Sequence, residues 1–351
     1  MSLRSGWFVA AAACLFAAAP GWSMSAPIHP PKSPIILPDN EGARGAIRER
    51  WDERIYPRSK EEIRATIRRI QSMPVRTVGS PPDRDALRGV HVAGPRPSDR
   101  EDAMRTLMIY RYLADVPWED LVLDRQLDTY ANAGSELMAA ARVFSHHPPN
   151  PGWPSEAYDF GHKGTSSSNL CMSDGSSLVH AIHEYFDDSD STNIWRLGHR
   201  RWCLNPKMAR TGMGGVGAYT SMWAYDRSRK DIPDYDYIAF PSRGYMPLEY
   251  FGKHYAWNVS LNPQKYRPPD PRKVTVQVHK ADDAGRRTGK PMRLNYNSVN
   301  NEWCGVRYCV IFRPRFWLLT PGNRYVVTIT GLEKTDGTPT SIEYLVEFFD
   351  L

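Results

Sequence analysis

The chain has 351 residues, 41% of them hydrophobic and 24% charged, which excludes a wholly disordered polymer and exceeds one ordinary domain. Lys and Arg number 45 against 39 Asp and Glu, a net charge of +6. That mild excess suits anionic envelope polymers or lipid headgroups better than nucleic acid, because no Lys/Arg run is interleaved with aromatic residues.

At the N-terminus, Arg4 precedes an apolar run from Trp7 to Ala19 that is too short to span a bilayer and is broken by Pro20-Gly21. Small residues around Gly21-Trp22-Ser23 and Ser23-Met24-Ser25 complete the pattern of a cleavable signal peptide over residues 1–25. The expected location is therefore outside the cell or in the periplasm. Cys14 in Ala11-Ala12-Ala13-Cys14 offers a lipoprotein signal instead, which the continuing apolar run disfavours. No later segment reaches the ~18 continuous apolar residues of a transmembrane helix.

Removing Cys14 leaves Cys171, Cys203, Cys304 and Cys309, an even number that reads as two disulfides in an oxidising compartment. Nearest-neighbour pairing joins Cys171 to Cys203 and Cys304 to Cys309, one of the three pairings that four cysteines allow. A zinc site built from all four is disfavoured, because no Cys-x-x-Cys spacing occurs.

Residues 26–101 read as an N-terminal extension with one helix and linkers. Ala26 to Asp39 is proline-rich and extended. Ser59-Lys60-Glu61-Glu62 is a capping-box pattern ahead of Ile63, Ile67 and Ile70, which share a helical face. This helix is expected to end near Met73-Pro74, and Val78 to Arg100 reads as a connector.

Over 102–231 the periodicity is helical. Met104, Leu107, Met108, Tyr112 and Leu113 mark one helix from Asp102, and Leu127, Ala131, Leu137, Met138 and Ala141 a second after Asp124. Asn150 to Ser168 reads as loop. Ser173 or Asp174 caps a third helix with Leu178, Ile182 and Tyr185. Gly212 to Tyr225 reads as strand material.

Over 234–351 alternation replaces helical spacing, in Val274–Val278, Tyr308–Phe312, Tyr325–Thr330 and Tyr344–Phe349, with turn signals at Pro321-Gly322 and Asp336-Gly337. Short alternating strands at that spacing predict an antiparallel β-sandwich that folds separately, since each pattern must bury its own face.

Within the helical region four motifs follow one another: Ser145-His146, Ser168-Asn169-Leu170, His183-Glu184-Tyr185 and Gly198-His199-Arg200-Arg201. Their order resembles the CAP superfamily, the secreted proteins grouped with cysteine-rich secretory proteins, antigen 5 and pathogenesis-related 1. The bacterial SCP-like branch is the most similar. The resemblance covers roughly Asp102 to Tyr225. It implies an α+β fold, a three-layer α-β-α sandwich, followed here by an immunoglobulin- or fibronectin-like β-sandwich. Phe240 to Pro247 and Trp257 to Ser260 resemble the joint between two such domains.

The resemblance also implies a cleft in which His146 and His199 hold a divalent metal, zinc above all, with Cu²⁺ or Ni²⁺ also accepted. Two ligands are too few for a closed site, so water or substrate would complete the shell. Glu184 matches the family's second glutamate and is expected to orient His199, to bind a metal-held water or to act as base. His180 lies one turn before it on the same face. Ser168 stands where the family often has its other glutamate, next to Asn169. A hydroxyl cannot replace that carboxylate, which favours ligand binding over catalysis. Glu156 or Asp159 in the preceding segment could compensate. The expected function is binding of a lipid, sterol or cell-envelope component. The alternative is a metal-assisted hydrolase or peptidase using His146, His199 and Glu184.

Other patterns are set aside. Gly212-Met213-Gly214-Gly215-Val216-Gly217 spells a dinucleotide fingerprint but is followed by strand-like residues rather than a helix. Asp188 to Thr192 resembles a calcium loop but lacks its Gly and Glu. Gly164-Thr165-Ser166 lacks the flanking glycines of a nucleophile elbow, and Asn258-Val259-Ser260 is a sequon that matters only in a eukaryotic secretory host.

Overall fold

Ser59 opens helix α1 (Lys60–Ser72) in the computed structural model, which describes residues 56–80, 94–175, 177–316 and 318–351. The expected signal peptide (1–25), Ala26–Asp39 and most of the connector lie outside these residues. The capping box forms as expected: the Ser59 hydroxyl accepts from the Glu62 amide at 3.1 Å, and the Glu62 carboxylate accepts from the Ser59 amide at 2.6 Å. Ile63, Ile67 and Ile70 are buried, and the chain turns extended at Met73 before Pro74.

Helix α2 (Pro97–Leu113) begins at Pro97 rather than Asp102, because proline suits the first helical position and Asp99 caps the Arg96 amide. Asp124 caps α3 (Arg125–Ala141). The stretch expected as loop holds α4 (Ser155–Ser166). Its glycines break the apolar periodicity for a packing reason: a Cβ at Gly164 would lie 1.9 Å from the Tyr130 carbonyl oxygen of α3. Ser177, not Ser173 or Asp174, caps α5 (Leu178–Asp187), and α6 spans Gly198–Cys203.

Strands β1 (Thr77–Val78), β2 (Val122–Asp124) and β4 (Arg210–Thr211) form a small parallel sheet, β1–β2–β4. Strands β3 (Ser168–Met172), β5 (Met213–Val216) and β6 (Tyr219–Trp223) form an antiparallel sheet in the order β3–β6–β5. Ser221 faces α3 through a 3.0 Å hydrogen bond with Ser135. Asn169, whose register partner Met222 points the other way, faces α6 and donates to the His199 carbonyl at 3.0 Å. Helices therefore cover both faces of this sheet.

The remaining strands are β7 (Tyr237–Phe240), β8 (Gly244–Pro247), β9 (Trp257–Leu261), β10 (Thr275–Ala281), β11 (Arg287–Thr288), β12 (Leu294–Asn300), β13 (Cys309–Pro314), β14 (Arg324–Glu333) and β15 (Pro339–Phe349). They form sheets β11–β10–β14–β15–β8 and β12–β13–β9–β7, antiparallel throughout except where β8 runs parallel to β15. The fully buried Trp257 of β9 joins the sheets, with ring centroids 6.0 Å from both Tyr325 and Phe348.

The fold is α+β, and its two halves share one contiguous core. Tyr110 of α2 stacks on Phe186 of α5 at 3.8 Å, and Phe240 of β7 lies 6.0 and 5.4 Å from these two rings. The boundary expected between 231 and 234 thus marks a change of secondary structure, not a gap in packing. Helix α1 adds a second tie. Glu347 of β15 is 2% exposed and accepts hydrogen bonds from Lys60 and Arg324, both at 2.6 Å, and from Tyr56 at 3.0 Å.

Cys171, Cys203, Cys304 and Cys309 are buried free thiols, so the expected pairs are not bridged in this structure. Cys203 instead lies 3.4 Å from the Asn169 side-chain amide. No described helix is long and apolar enough to cross a membrane.

Candidate functional site

Helix α3 ends on Arg142 in the left-handed conformation (φ 53), which turns the chain toward Ser145-His146. The end of α4 then clamps His146 twice. Thr165 Oγ1 donates to the His146 carbonyl at 2.9 Å, and the Thr165 carbonyl accepts from His146 Nδ1 at 2.9 Å. A carbonyl can only accept, so Nδ1 carries the proton and Nε2 is the basic nitrogen. The residue is 8% exposed. Burial drives its pKa down to about 4 against the opposing Thr165 bond, and His199, Arg196 and His147 push the same way. His146 is therefore a neutral imidazole within electrostatic reach of His199.

His199 sits in the first turn of α6. Its Nδ1 lies 2.8 Å from Oδ1 of Asp188, whose side chain is fully buried. Asp188 caps α5 in the left-handed conformation (φ 43), and its Oδ2 accepts from the Arg200 amide at 3.2 Å. Here too an oxygen holds Nδ1 and leaves Nε2 as the basic nitrogen.

Asn169 thus bonds the His199 backbone, and His146 lies within electrostatic reach of His199. Ser168 is adjacent but points to the opposite face of β3 from Asn169. It is 3% exposed, and its hydroxyl has no hydrogen-bond partner among the described residues. Glu184 does not reach His199. It is half exposed on α5 with its carboxylate 3.8 Å from the ring of an equally exposed His180. The carboxylate that orients His199 is Asp188, which follows the helix that carries Glu184. A short acidic side chain that tolerates φ > 0 at a helix end, eleven residues before the histidine, was the available signal. Glu156 and Asp159 are exposed on α4. His147 pairs with His162 at 2.9 Å, and His183 bonds the Tyr110 hydroxyl at 2.8 Å.

Both arginines of Gly198-His199-Arg200-Arg201 are fully buried. Arg200 donates to the carbonyls of Phe186 (2.7 Å), Asp187 (2.7 Å) and Ala256 (2.5 Å) and to Asn258 Oδ1 (3.0 Å). Arg201 donates to the carbonyls of Arg196 (2.9 Å), Val306 (2.7 Å) and Glu302 and to Asn300 Oδ1 (2.8 Å). The motif that supplies the histidine therefore also fastens α6 to β9, β12 and the segment that follows β12.

Among the described residues, no three or more His, Cys, Asp or Glu side chains are grouped to hold a metal ion. Two tautomer-fixed imidazoles fit an open, water-completed site and not a closed structural one. Two clefts, about 470 and 350 Å³, share Asp115 in their walls, and neither is lined by His146 or His199. The glycine string Gly212–Gly217 serves packing: a Cβ at Gly212 or Gly214 would lie 2.1 Å from Asp128 N or 2.2 Å from Asn132 Cα of α3. No protein-family model matches the chain, and neither a curated protein nor a solved structure matches it.

Proposed function

We propose that the chain is a secreted, SCP-like member of the CAP superfamily, with an α-β-α sandwich followed by an immunoglobulin- or fibronectin-like module. His146 and His199 hold a divalent ion, zinc in the first instance, and the protein acts by binding a lipid, sterol or envelope component. One observation carries this reading: two histidines 53 positions apart in sequence (199 minus 146) each have Nδ1 held by an oxygen, so both offer Nε2 as the ligating nitrogen. When bound, the ion would supply Lewis acidity. The chain's part is to keep His146 neutral by burial and to fix the His199 ring through Asp188.

The Asp188–His199 pair also favours a second reading, hydrolysis with His199 as the proton acceptor, because the buried carboxylate fixes the tautomer and orientation of the imidazole. Glu184, half exposed and paired with His180, takes no part in it.

Metal analysis and calorimetry on the purified protein test the proposal. One zinc per chain is expected, with affinity lowered in His146→Ala and in His199→Ala. An unmodified protein that binds no zinc, or variants that bind it equally well, would remove the metal site. Robust zinc-dependent peptidase activity would move the assignment to the second reading.

A further inference from the structure

Three aromatic rings from distant parts of the chain meet at one surface. Trp202 of α6 stacks on Tyr225, just past β6, with centroids 4.4 Å apart, and meets Trp303 edge-on at 4.7 Å. Trp303 belongs to the loop between β12 and β13. Gly305 lets that loop close, because a Cβ there would lie 2.9 Å from the Trp202 ring. The Arg227 guanidinium lies 3.7 Å over the Trp303 ring. Tyr225 is 42% exposed, and Arg227 is exposed with no ion pair among the described residues.

The charge of a second arginine, Arg196, is felt at Tyr225. Burial raises the Tyr225 pKa and Cys304 adds to this, while Arg196 and Arg227 pull it back. The charge of Arg196 also acts on His146.

An exposed aromatic face beside an exposed guanidinium group suits a ring with an apolar face and an anionic substituent. The C–H face of a sugar packs on tyrosine, and a carboxylate takes the two-pronged guanidinium fork. Nucleic acid needs several open stacking faces in a row along a basic track. Here Trp202 is buried and Trp303 is covered by Arg227, so Tyr225 is the open face. A wholly apolar lipid would leave the guanidinium unused.

We propose that Tyr225, Trp202, Trp303 and Arg227 form a subsite for a carboxylated sugar ring of an acidic polysaccharide. The proposal rests on the ligand-binding reading above but not on its metal.

The test titrates the full chain with an oligogalacturonate hexamer, its fully methyl-esterified form and an oligothymidylate, by calorimetry and tryptophan fluorescence. Zinc content is measured in the same samples. The acidic hexamer is expected to bind and the neutral ester to bind at least about tenfold more weakly, a typical cost of losing a charged contact at a partly exposed site. Tyr225→Ala and Arg227→Ala should each weaken binding about tenfold with unchanged circular dichroism. Arg227→Lys, which keeps charge but not the fork, should fall between. No binding of the acidic hexamer, equal binding of the ester, tighter binding of oligothymidylate, or indifference to all three substitutions would overturn the subsite. Saccharide binding without zinc supports the subsite while removing the metal site. Zinc binding without saccharide removes the subsite alone.

Discussion

Asp188 Oδ1 holds His199 Nδ1 at 2.8 Å from a side chain with no solvent exposure. This contact gives His199 a fixed ring orientation, and it depends on α5 ending one residue earlier in a left-handed turn.

Asp188→Asn should preserve the fold, since asparagine tolerates the same backbone region. It loses the anionic partner of the imidazole, so zinc affinity should drop roughly 10- to 100-fold, the usual cost of removing such a support. Chelator competition would measure it. Glu184→Gln, by contrast, should leave the affinity within about twofold, because the Glu184 carboxylate is half exposed and pairs with the equally exposed His180 ring.

Glu347 makes stability depend on pH. Burial raises its pKa, but the hydrogen bonds from Lys60, Arg324 and Tyr56 outweigh this, and the net pKa is lowered. A carboxylate depressed in the folded state stabilises above its unfolded pKa, about 4.3, and loses that contribution as pH falls through the folded value. Urea midpoints should therefore fall steeply below about pH 4.3. Glu347→Gln should flatten that slope and cost roughly 3 kcal/mol at pH 7, because two cations lose their anion. An unchanged slope in the variant would assign the acid sensitivity elsewhere.

Phe240 should make the two halves unfold together. It is fully buried between Phe186 and Phe251, at 5.4 and 5.5 Å. Phe240→Ala should cost about 3–5 kcal/mol and lower a single transition seen alike by circular dichroism and tryptophan fluorescence. A fragment 234–351 would expose Phe240, Tyr250 and Phe251 and should aggregate. A soluble fragment with a cooperative β-type melt would show instead that the shared core is dispensable.

The buried thiols should be silent in the native protein. Burial pushes the Cys171 pKa up to about 11 and holds Cys203 still higher, so little thiolate exists at neutral pH. Native protein lacking residues 1–25, and with them Cys14, should take up no maleimide, and the same protein unfolded without reductant should take up four at Cys171, Cys203, Cys304 and Cys309. No uptake after unfolding would establish bridges in place of the free thiols.

Local signals in the chain located the first helix to the residue, because the Ser59–Glu62 box and the Ile63, Ile67 and Ile70 stripe act within a few turns. The helix after Asp124 and the strands at 275–281, 309–314, 324–333 and 339–349 were legible for the same reason. Helix α4 was hidden, since Gly161 and Gly164 answer to the backbone of α3 and not to their own periodicity. The histidines could be named from motif order, but their partners could not. Thr165 reaches His146 from 19 positions away and Asp188 reaches His199 from 11, and neither spacing belongs to a helix or strand period.

What the sequence by itself determined is the run of helices followed by strands, with Ser145-His146 and Gly198-His199-Arg200-Arg201 as candidate motifs. Periodicity and capping are short-range, so one strand of text suffices to read them. Only the tertiary structure decided that Asp188 rather than Glu184 supports His199, that Arg200 and Arg201 are spent on backbone carbonyls, and that Tyr225, Trp202 and Trp303 share a surface. Those contacts join segments up to about a hundred residues apart, and a pairing at that distance is chosen by how whole layers bury their faces against each other.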